Sequence, residues 1–315
     1  MREKSLIERI RRRVRGGSGV VTGIGDDCAV LRGRTGHELL VTTDFTLEDV
    51  HFRREWHPPE VVGWRCMTRG LSDIAAMGGE PRAAFLSLAL EQGVPQKWVD
   101  RFLGGLLEAA DEFRVPLAGG DTAQSAGGIQ ADIVVVGSVP KGKGVLRSGA
   151  RPGDEIYVTG ELGGSAAAIA QLREGKVRAA EYARHFHPTA RVEVGLWLRR
   201  RGLASAMIDV SDGLSTDLEH VCQESGVGAV VEAAAIPRAQ VGRPAKAVAL
   251  ELALHGGEDY ELLFTSEKKI PAKIAGVPVT RIGRITRERG SVFIQEDRAR
   301  SRLVARGWEH FKANL

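Results

Sequence analysis

The sequence predicts an α/β protein built as two domains. Apolar, β-branched runs alternate along the chain with amphipathic segments of helical period. At 315 residues the chain exceeds a single ordinary core, which holds roughly 100–200 residues. A stretch rich in Gly, Lys and Arg and without periodicity, Lys141 to Gly153, interrupts the alternation near its middle. The expected division is residues 1–148 and 149–315.

The elements follow in order. Ser5 and Glu8 form a capping box, and Leu6, Ile7, Ile10 and Val14 recur at helical spacing, so the chain is expected to open with an amphipathic surface helix. Glu38 to Thr43 reads as a strand, Pro59 to Met77 as a helix stopped by Gly78 and Gly79, and Arg82 to Leu90 as a strand. Pro95 to Phe113 carries Leu103, Leu106, Leu107 and Ala110 on one face, which predicts a second helix. Val115 to Ala118 and Ala131 to Val139 read as strands. Beyond the boundary, Glu155 to Thr159 predicts a strand and Ser165 to Leu172 a helix entered through Gly163 and Gly164. Val227 to Glu232, Tyr260 to Thr265, Val279 to Ile285 and Ser291 to Gln295 complete the strands, with helices between several of them.

Composition narrows the function. The chain is 43% hydrophobic and 27% charged, and its 39 glycines are spread through apolar runs, as in a globular enzyme. A net charge of +4 is too small an excess for a nucleic-acid-binding signature, and Arg11, Arg12, Arg13 and Arg15 lack interleaved aromatics. No apolar stretch reaches the ~18 residues of a membrane span, and no signal-peptide core follows the basic start, so a cytoplasmic protein is expected. Cys28, Cys66 and Cys222 show neither metal-ligand nor redox spacing, as befits a reducing compartment.

The chemistry lies in the aspartates. Five segments place Asp at the end of an apolar run or in a Gly-flanked turn: Gly23-Ile24-Gly25-Asp26-Asp27, Thr42-Thr43-Asp44, Leu71-Ser72-Asp73, Gly119-Gly120-Asp121-Thr122 and Asp209-Val210-Ser211-Asp212-Gly213. Singly, each fits a turn, because an Asp side chain bonds nearby backbone N–H groups. Asp73 stands apart, since a lone carboxylate among Leu71, Ile74, Ala75 and Met77 costs stability if buried. If such carboxylates converge, cations must offset their repulsion. Oxygen ligands without His or Cys favour Mg²⁺, which uses a few carboxylates plus substrate phosphates. The adjacent glycines let backbone N–H groups approach phosphate oxygens.

Familiar nucleotide motifs are absent. Gly137 to Lys143 has Walker A spacing, but Gly144 replaces the Mg²⁺-binding hydroxyl. Cys28 occupies the third glycine position of a dinucleotide fingerprint begun by Gly23 and Gly25. The His-Arg-Asp and Asp-Phe-Gly pairing of protein kinases is missing.

With Gly256-Gly257-Glu258-Asp259-Tyr260-Glu261, Thr42-Thr43-Asp44 with His51-Phe52, and Ser72-Asp73-Ile74-Ala75-Ala76-Met77-Gly78, these segments stand in an order that resembles the thiamine-monophosphate kinase family. That family falls within the wider aminoimidazole-ribonucleotide-synthetase-like superfamily. The resemblance spans nearly the whole chain. It implies an N-terminal α/β domain whose sheet pairs across a homodimer and binds ATP, and a C-terminal α/β domain with a mixed sheet that contributes to the substrate site. It further implies that Asp27, Thr42, Thr43, Asp44, Asp73, Asp121, Asp209 and Asp212 bind Mg²⁺, and that Gly120, Asp121, Arg147 and Ser211 contact ATP. His51, Glu258 and Trp308 would contact thiamine monophosphate, and Asp44, Asp73 and Arg147 would carry catalysis.

The expected reaction is in-line transfer of the γ-phosphoryl group of ATP to thiamine monophosphate, without a covalent enzyme intermediate. Rival readings within the superfamily are a selenophosphate synthetase and a hydrogenase-maturation dehydratase. Cysteine placement argues against both: the first would usually show a reactive Cys or selenocysteine in a glycine-rich N-terminal segment, and the second a Cys at the extreme C-terminus, whereas this sequence ends Gly307-Trp308-Glu309-His310-Phe311-Lys312-Ala313-Asn314-Leu315. A nucleotide sensor that binds ATP without turnover is the third.

Overall fold

The computed structural model describes residues 9–10, 12–14, 19–22, 30–175 and 177–309. The expected capping box at Ser5 and Glu8, the Gly23–Asp27 segment and the metal-ligand candidate Asp27 lie outside them. The chain divides into two compact units, Met1–Ile74 with Gly79–Lys143, and Ala75–Gly78 with Gly144–Leu315.

In the first unit a short antiparallel pair, β1 (Val20–Thr22) and β2 (Val30–Leu31), precedes a four-stranded sheet ordered β3-β6-β4-β5. Its strands are β3 (His37–Leu47), β4 (Glu80–Leu90), β5 (Leu117–Gln124) and β6 (Gln130–Pro140). β4 and β5 run parallel and the other neighbours antiparallel. Helices α1 (Pro59–Ala76) and α2 (Gln96–Glu112) bury their apolar faces. They approach so closely that a Cβ on Gly63 would overlap the Phe102 carbonyl oxygen, and one on Gly105 that of Glu60. β3 alternates along its length: Leu39, Val41, Thr43 and Phe45 are exposed, while Thr42, Asp44 and Thr46 turn inward.

Two strands run longer than the sequence suggests. β3 continues past Thr43 through Leu47, because Asp44 is an inward rung of its ladder with β6 and not a strand end. β5 passes straight through Gly119-Gly120-Asp121-Thr122, where a turn beyond Ala118 is expected. Glycine weakens a strand, yet here a Cβ on Gly120 would overlap the Leu86 carbonyl oxygen of β4, so the parallel pairing itself demands glycine.

The second unit is built on an eight-stranded mixed sheet whose path runs β16-β15-β9-β14-β7-β12-β8, with β13 beside β14. Its strands are β7 (Glu155–Thr159), β8 (Ala206–Val210), β9 (Gly228–Glu232), β12 (Glu261–Ser266), β13 (Lys273–Ile274), β14 (Val277–Thr286), β15 (Val292–Glu296) and β16 (Ala299–Arg302). A small hairpin, β10 (Gln240–Val241) with β11 (Lys246–Ala247), stands apart. β15 pairs in parallel with β9 and the other ladders are antiparallel. The helices are α3 (Gly164–Arg173), a single turn Ala183–Phe186, α4 (Val192–Arg201), α5 (Leu214–Ser225) and α6 (Leu250–His255). Every residue of β8 and β12 is buried, so both faces of these strands are covered, and Asp209, Glu261, Thr265 and Ser266 are buried with them.

Candidate functional site

In the first unit, helix and strand periods match. Four helical residues rise about 6 Å and two strand residues about 6.6 Å, so Arg69 and Asp73 on α1 meet alternate inward rungs of β3. Arg69 Nε donates to Asp44 Oδ1 at 3.1 Å, and Thr42 Oγ1 donates to Asp73 Oδ2. One turn earlier, burial pushes the Cys66 thiol up to about 12, with neighbouring Thr46 working in the opposite direction. Asp73 is thus neither exposed nor isolated: it is held against β3, with Arg69 supplying positive charge beside Asp44.

The remaining candidates of this unit face the other way. Thr43 Oγ1 donates to Asp132 Oδ1 at 2.6 Å on the outer face of the sheet. Along that face the register sets Phe45, Asp132, Ser87 and Asp121 in one row across all four strands. Asp121 Oδ1 accepts the N–H of Thr122 at 2.8 Å. Thr42, Asp44 and Asp73 therefore gather on one face, and Thr43 and Asp121 on the opposite one. His51, just beyond β3, accepts the Leu47 N–H at Nδ1 at 3.0 Å, which leaves its ring proton on Nε2.

In the second unit, Asp209 is the penultimate residue of β8, with 3% of its surface exposed, and Ser211 and Asp212 follow in the turn into α5. Asp217, one turn into α5, accepts the N–H groups of Asp212 and Gly213 at 3.3 and 3.0 Å. Burial first, then Asp209 and Asp212, raise the Asp217 carboxyl well above its ordinary range. The backbone around Asp212 is crowded. Glu258 N–H donates to Ser211 O at 2.8 Å and Trp308 N–H to Asp212 O at 3.0 Å, while a Cβ on Gly257 or Gly307 would overlap those same carbonyl oxygens. Glu258 adopts a left-handed φ of 62° and Tyr260 one of 52°.

Between these two residues Asp259 is fixed. Its carboxylate accepts Gly163 N–H at 2.6 Å and Ser165 N–H at 3.3 Å at the start of α3. Next along the chain, Glu261 is wholly buried and receives Thr159 Oγ1 at 2.6 Å, Arg191 Nε and Nη2 at 2.6 and 2.5 Å, and Arg184 Nη1 at 2.8 Å. Burial works against the Arg191 charge, but Glu261 overrides it and raises the guanidinium pKa. Arg147 is exposed, and among the described residues its guanidinium has no hydrogen bond; its carbonyl accepts Ser225 Oγ at 3.0 Å. A cleft of about 400 Å³ opens beside α5, with Asp212 and a half-exposed Trp308 in its wall.

Sequence reasoning missed Arg69, Asp132 and Asp217. Arg69 and Asp217 carried a signal in their spacing, one helical turn from Asp73 and from Asp212–Gly213. Asp132 carried none, since a single polar residue in a strand is unremarkable until the register is known.

Among the described residues no three acidic, His or Cys side chains form a ready-made metal cage. Mg²⁺ keeps waters and phosphate oxygens and takes one or two carboxylates from the protein. The crowding of Asp209, Asp212 and Asp217, which forces a proton toward Asp217, marks negative charge that a divalent ion would relieve. The residues present therefore fit the ion.

Comparison with known proteins bears on the family and the fold. Residues 25–139 match the AIR synthase related protein, N-terminal domain, and residues 151–296 the AIR synthase related protein, C-terminal domain. A thiamine-monophosphate kinase of Haemophilus influenzae is 36% identical over 309 residues, 93% of this chain and 92% of that protein. The crystal structure of thiamine-monophosphate kinase from Stenotrophomonas maltophilia superposes with a TM-score of 0.82 at 35% identity, covering 95% of this chain and 98% of that one. A structure of AaThiL complexed with AMPPCP and TMP superposes with a TM-score of 0.77 at 31% identity, covering 99% of both. Identity at this level over almost the full length, on a matching fold, places the chain in the thiamine-monophosphate kinase family.

Proposed function

We propose that the protein transfers the γ-phosphoryl group of ATP to thiamine monophosphate, giving thiamine diphosphate and ADP. The observation that carries this reading is the likeness, along 99% of both chains, to a kinase captured with AMPPCP and TMP. AMPPCP mimics ATP with a carbon bridge that cannot be cleaved, so the pair represents donor and acceptor held together.

The acceptor phosphate is already an anion at neutral pH, so no strong general base is needed and acceleration comes from positioning and charge neutralisation. Mg²⁺, when bound, supplies that neutralisation at the phosphate oxygens. We assign its binding to Asp27, Thr42, Thr43, Asp44, Asp73, Asp121, Asp209 and Asp212. Because Thr42, Asp44 and Asp73 occupy the opposite sheet face from Thr43 and Asp121, more than one ion position is proposed. Arg147, with a guanidinium available to fork two phosphate oxygens, and Gly120 and Ser211 are assigned to ATP. His51, Glu258 and Trp308 are assigned to the acceptor, the Trp308 indole offering a face for the thiazolium cation.

Residues 1–148 are read as the ATP, Mg²⁺ and dimerisation domain and 149–315 as the domain that completes the acceptor site. Among the described residues no helix is long and apolar enough to cross a membrane; a homodimer working in the cytoplasm is the proposed setting. The test is direct: purified protein is mixed with ATP, Mg²⁺ and thiamine monophosphate, and thiamine diphosphate is measured. D44N and D73N should each lower kcat by on the order of a hundredfold or more while the circular dichroism spectrum is unchanged. ATP binding without product would favour a sensor, and full activity of either variant would remove the assigned role.

A further inference from the structure

The cleft beside α5 contains two side chains to which the reading above gives no task. Thr216, Glu219 and His220 line one helical face at i, i+3 and i+4, opposite Trp308 and Glu309. Among the described residues neither the Glu219 nor the His220 side chain takes part in a hydrogen bond or ion pair, although both residues are partly buried. Polar groups held part-way out of water without partners are suited to a ligand that brings its own donors and acceptors.

Charge and length identify that ligand. Asp212, Glu219 and Glu309 make the wall acidic, and Trp308 presents an indole 51% exposed, a combination that favours a flat cation. From Leu214, just after Asp212, to Glu219 and His220 the helix climbs five to six residues, about 7 to 9 Å. An acceptor with its phosphate toward Asp212 and its thiazolium on Trp308 would carry its second ring to the far end of the cleft. That ring is an aminopyrimidine, with an amino donor beside ring-nitrogen acceptors. Glu219 only accepts and His220 can donate, so the two edges are complementary.

We propose that Glu219 and His220 recognise the aminopyrimidine ring of the acceptor and set its specificity; this rests on the thiamine-monophosphate reading of the same site. Both residues bind substrate and neither touches the transferred phosphoryl group. The test measures calorimetric affinity and steady-state KM for two acceptors, thiamine monophosphate and a truncated N-methylthiazolium ethyl phosphate that lacks the pyrimidine. E219Q and H220A should each weaken thiamine monophosphate about tenfold, the worth of one good polar contact. Both should bind the truncated acceptor as the wild type does, leave the KM for ATP unchanged, and melt at the wild-type temperature. Unchanged affinity for thiamine monophosphate, or equal losses for both acceptors, would overturn the proposal. A wild type that neither binds nor phosphorylates thiamine monophosphate would sink the functional reading as well. A wild type and variants that make thiamine diphosphate with one shared KM would sink the recognition site alone.

Discussion

At the scale of single residues, the second unit works by burying acids and then bonding them. Glu261 is wholly buried yet fully partnered: Arg191 and Arg184 pair with it and Thr159 donates to it. Asp259 accepts two backbone N–H groups, and among the described residues no cation forms an ion pair with it; burial pushes its carboxyl up to about 7, with Glu261 adding to the rise. In the unfolded chain an Asp titrates near about 3.9. The folded state therefore holds a proton that the unfolded state has already released. Stability from this group is greatest below the unfolded value, falls as pH rises through the interval up to about 7, and is flat above it. D259N removes the titration. The unfolding free energy of wild type minus that of D259N, from urea curves at several pH values, should decline by about 1.4 kcal/mol per pH unit at most across that interval. A difference that is flat or rises with pH would contradict the burial of a protonated acid here.

Elements in the first unit are arranged by close backbone approach, and that is where sequence reading succeeded and failed. The extent of α1 was legible from its apolar period and the glycines after it, and β7 from its β-branched run, because those signals are local. The course of β5 through Gly119 and Gly120 was not, since glycine ordinarily ends a strand and only the overlap with Leu86 of β4 explains its use. The aspartates themselves were found by their glycine neighbours; which face each occupies depends on the register of β3 against β6, and no sequence signal fixes that. Nor did β16 announce itself, for Arg300 and Arg302 alternate with Ala299 and Ser301, all four exposed, and Arg300 stacks on Phe293. The helix pair allows a quantitative check. Because Gly63 and Gly105 each face a carbonyl oxygen of the other helix, Gly105→Ala must push α2 away from Glu60. Overpacking of this kind costs about 1–3 kcal/mol, so the urea midpoint should fall with an unchanged m-value. A neutral Gly105→Ala would mean the helices slide apart without loss.

For the whole molecule, the open question is what covers the outer face of the four-stranded sheet. Leu39, Val41 and Phe45 expose 64%, 66% and 57% of their surface in a row on one strand, with Val134 and Phe85 continuing the apolar strip across the register. A contiguous apolar patch on a sheet, with helices packed on the reverse side, marks an interaction surface. A second copy of the chain is the proposed partner, since an isologous pairing presents the same strip to itself. The wild type should then sediment at twice the 34.0 kDa chain mass. Leu39→Glu combined with Val41→Glu places like charges opposite one another at that surface without disturbing the folded protomer, because both side chains already face solvent there. The double variant should sediment as a single chain with an unchanged circular dichroism spectrum. Asp121, Asp132 and Thr43 share the face with this strip, so loss of the pairing should also raise the KM for ATP. A wild type that stays monomeric at every concentration tested, or a double variant that still pairs, would show that this face has another use.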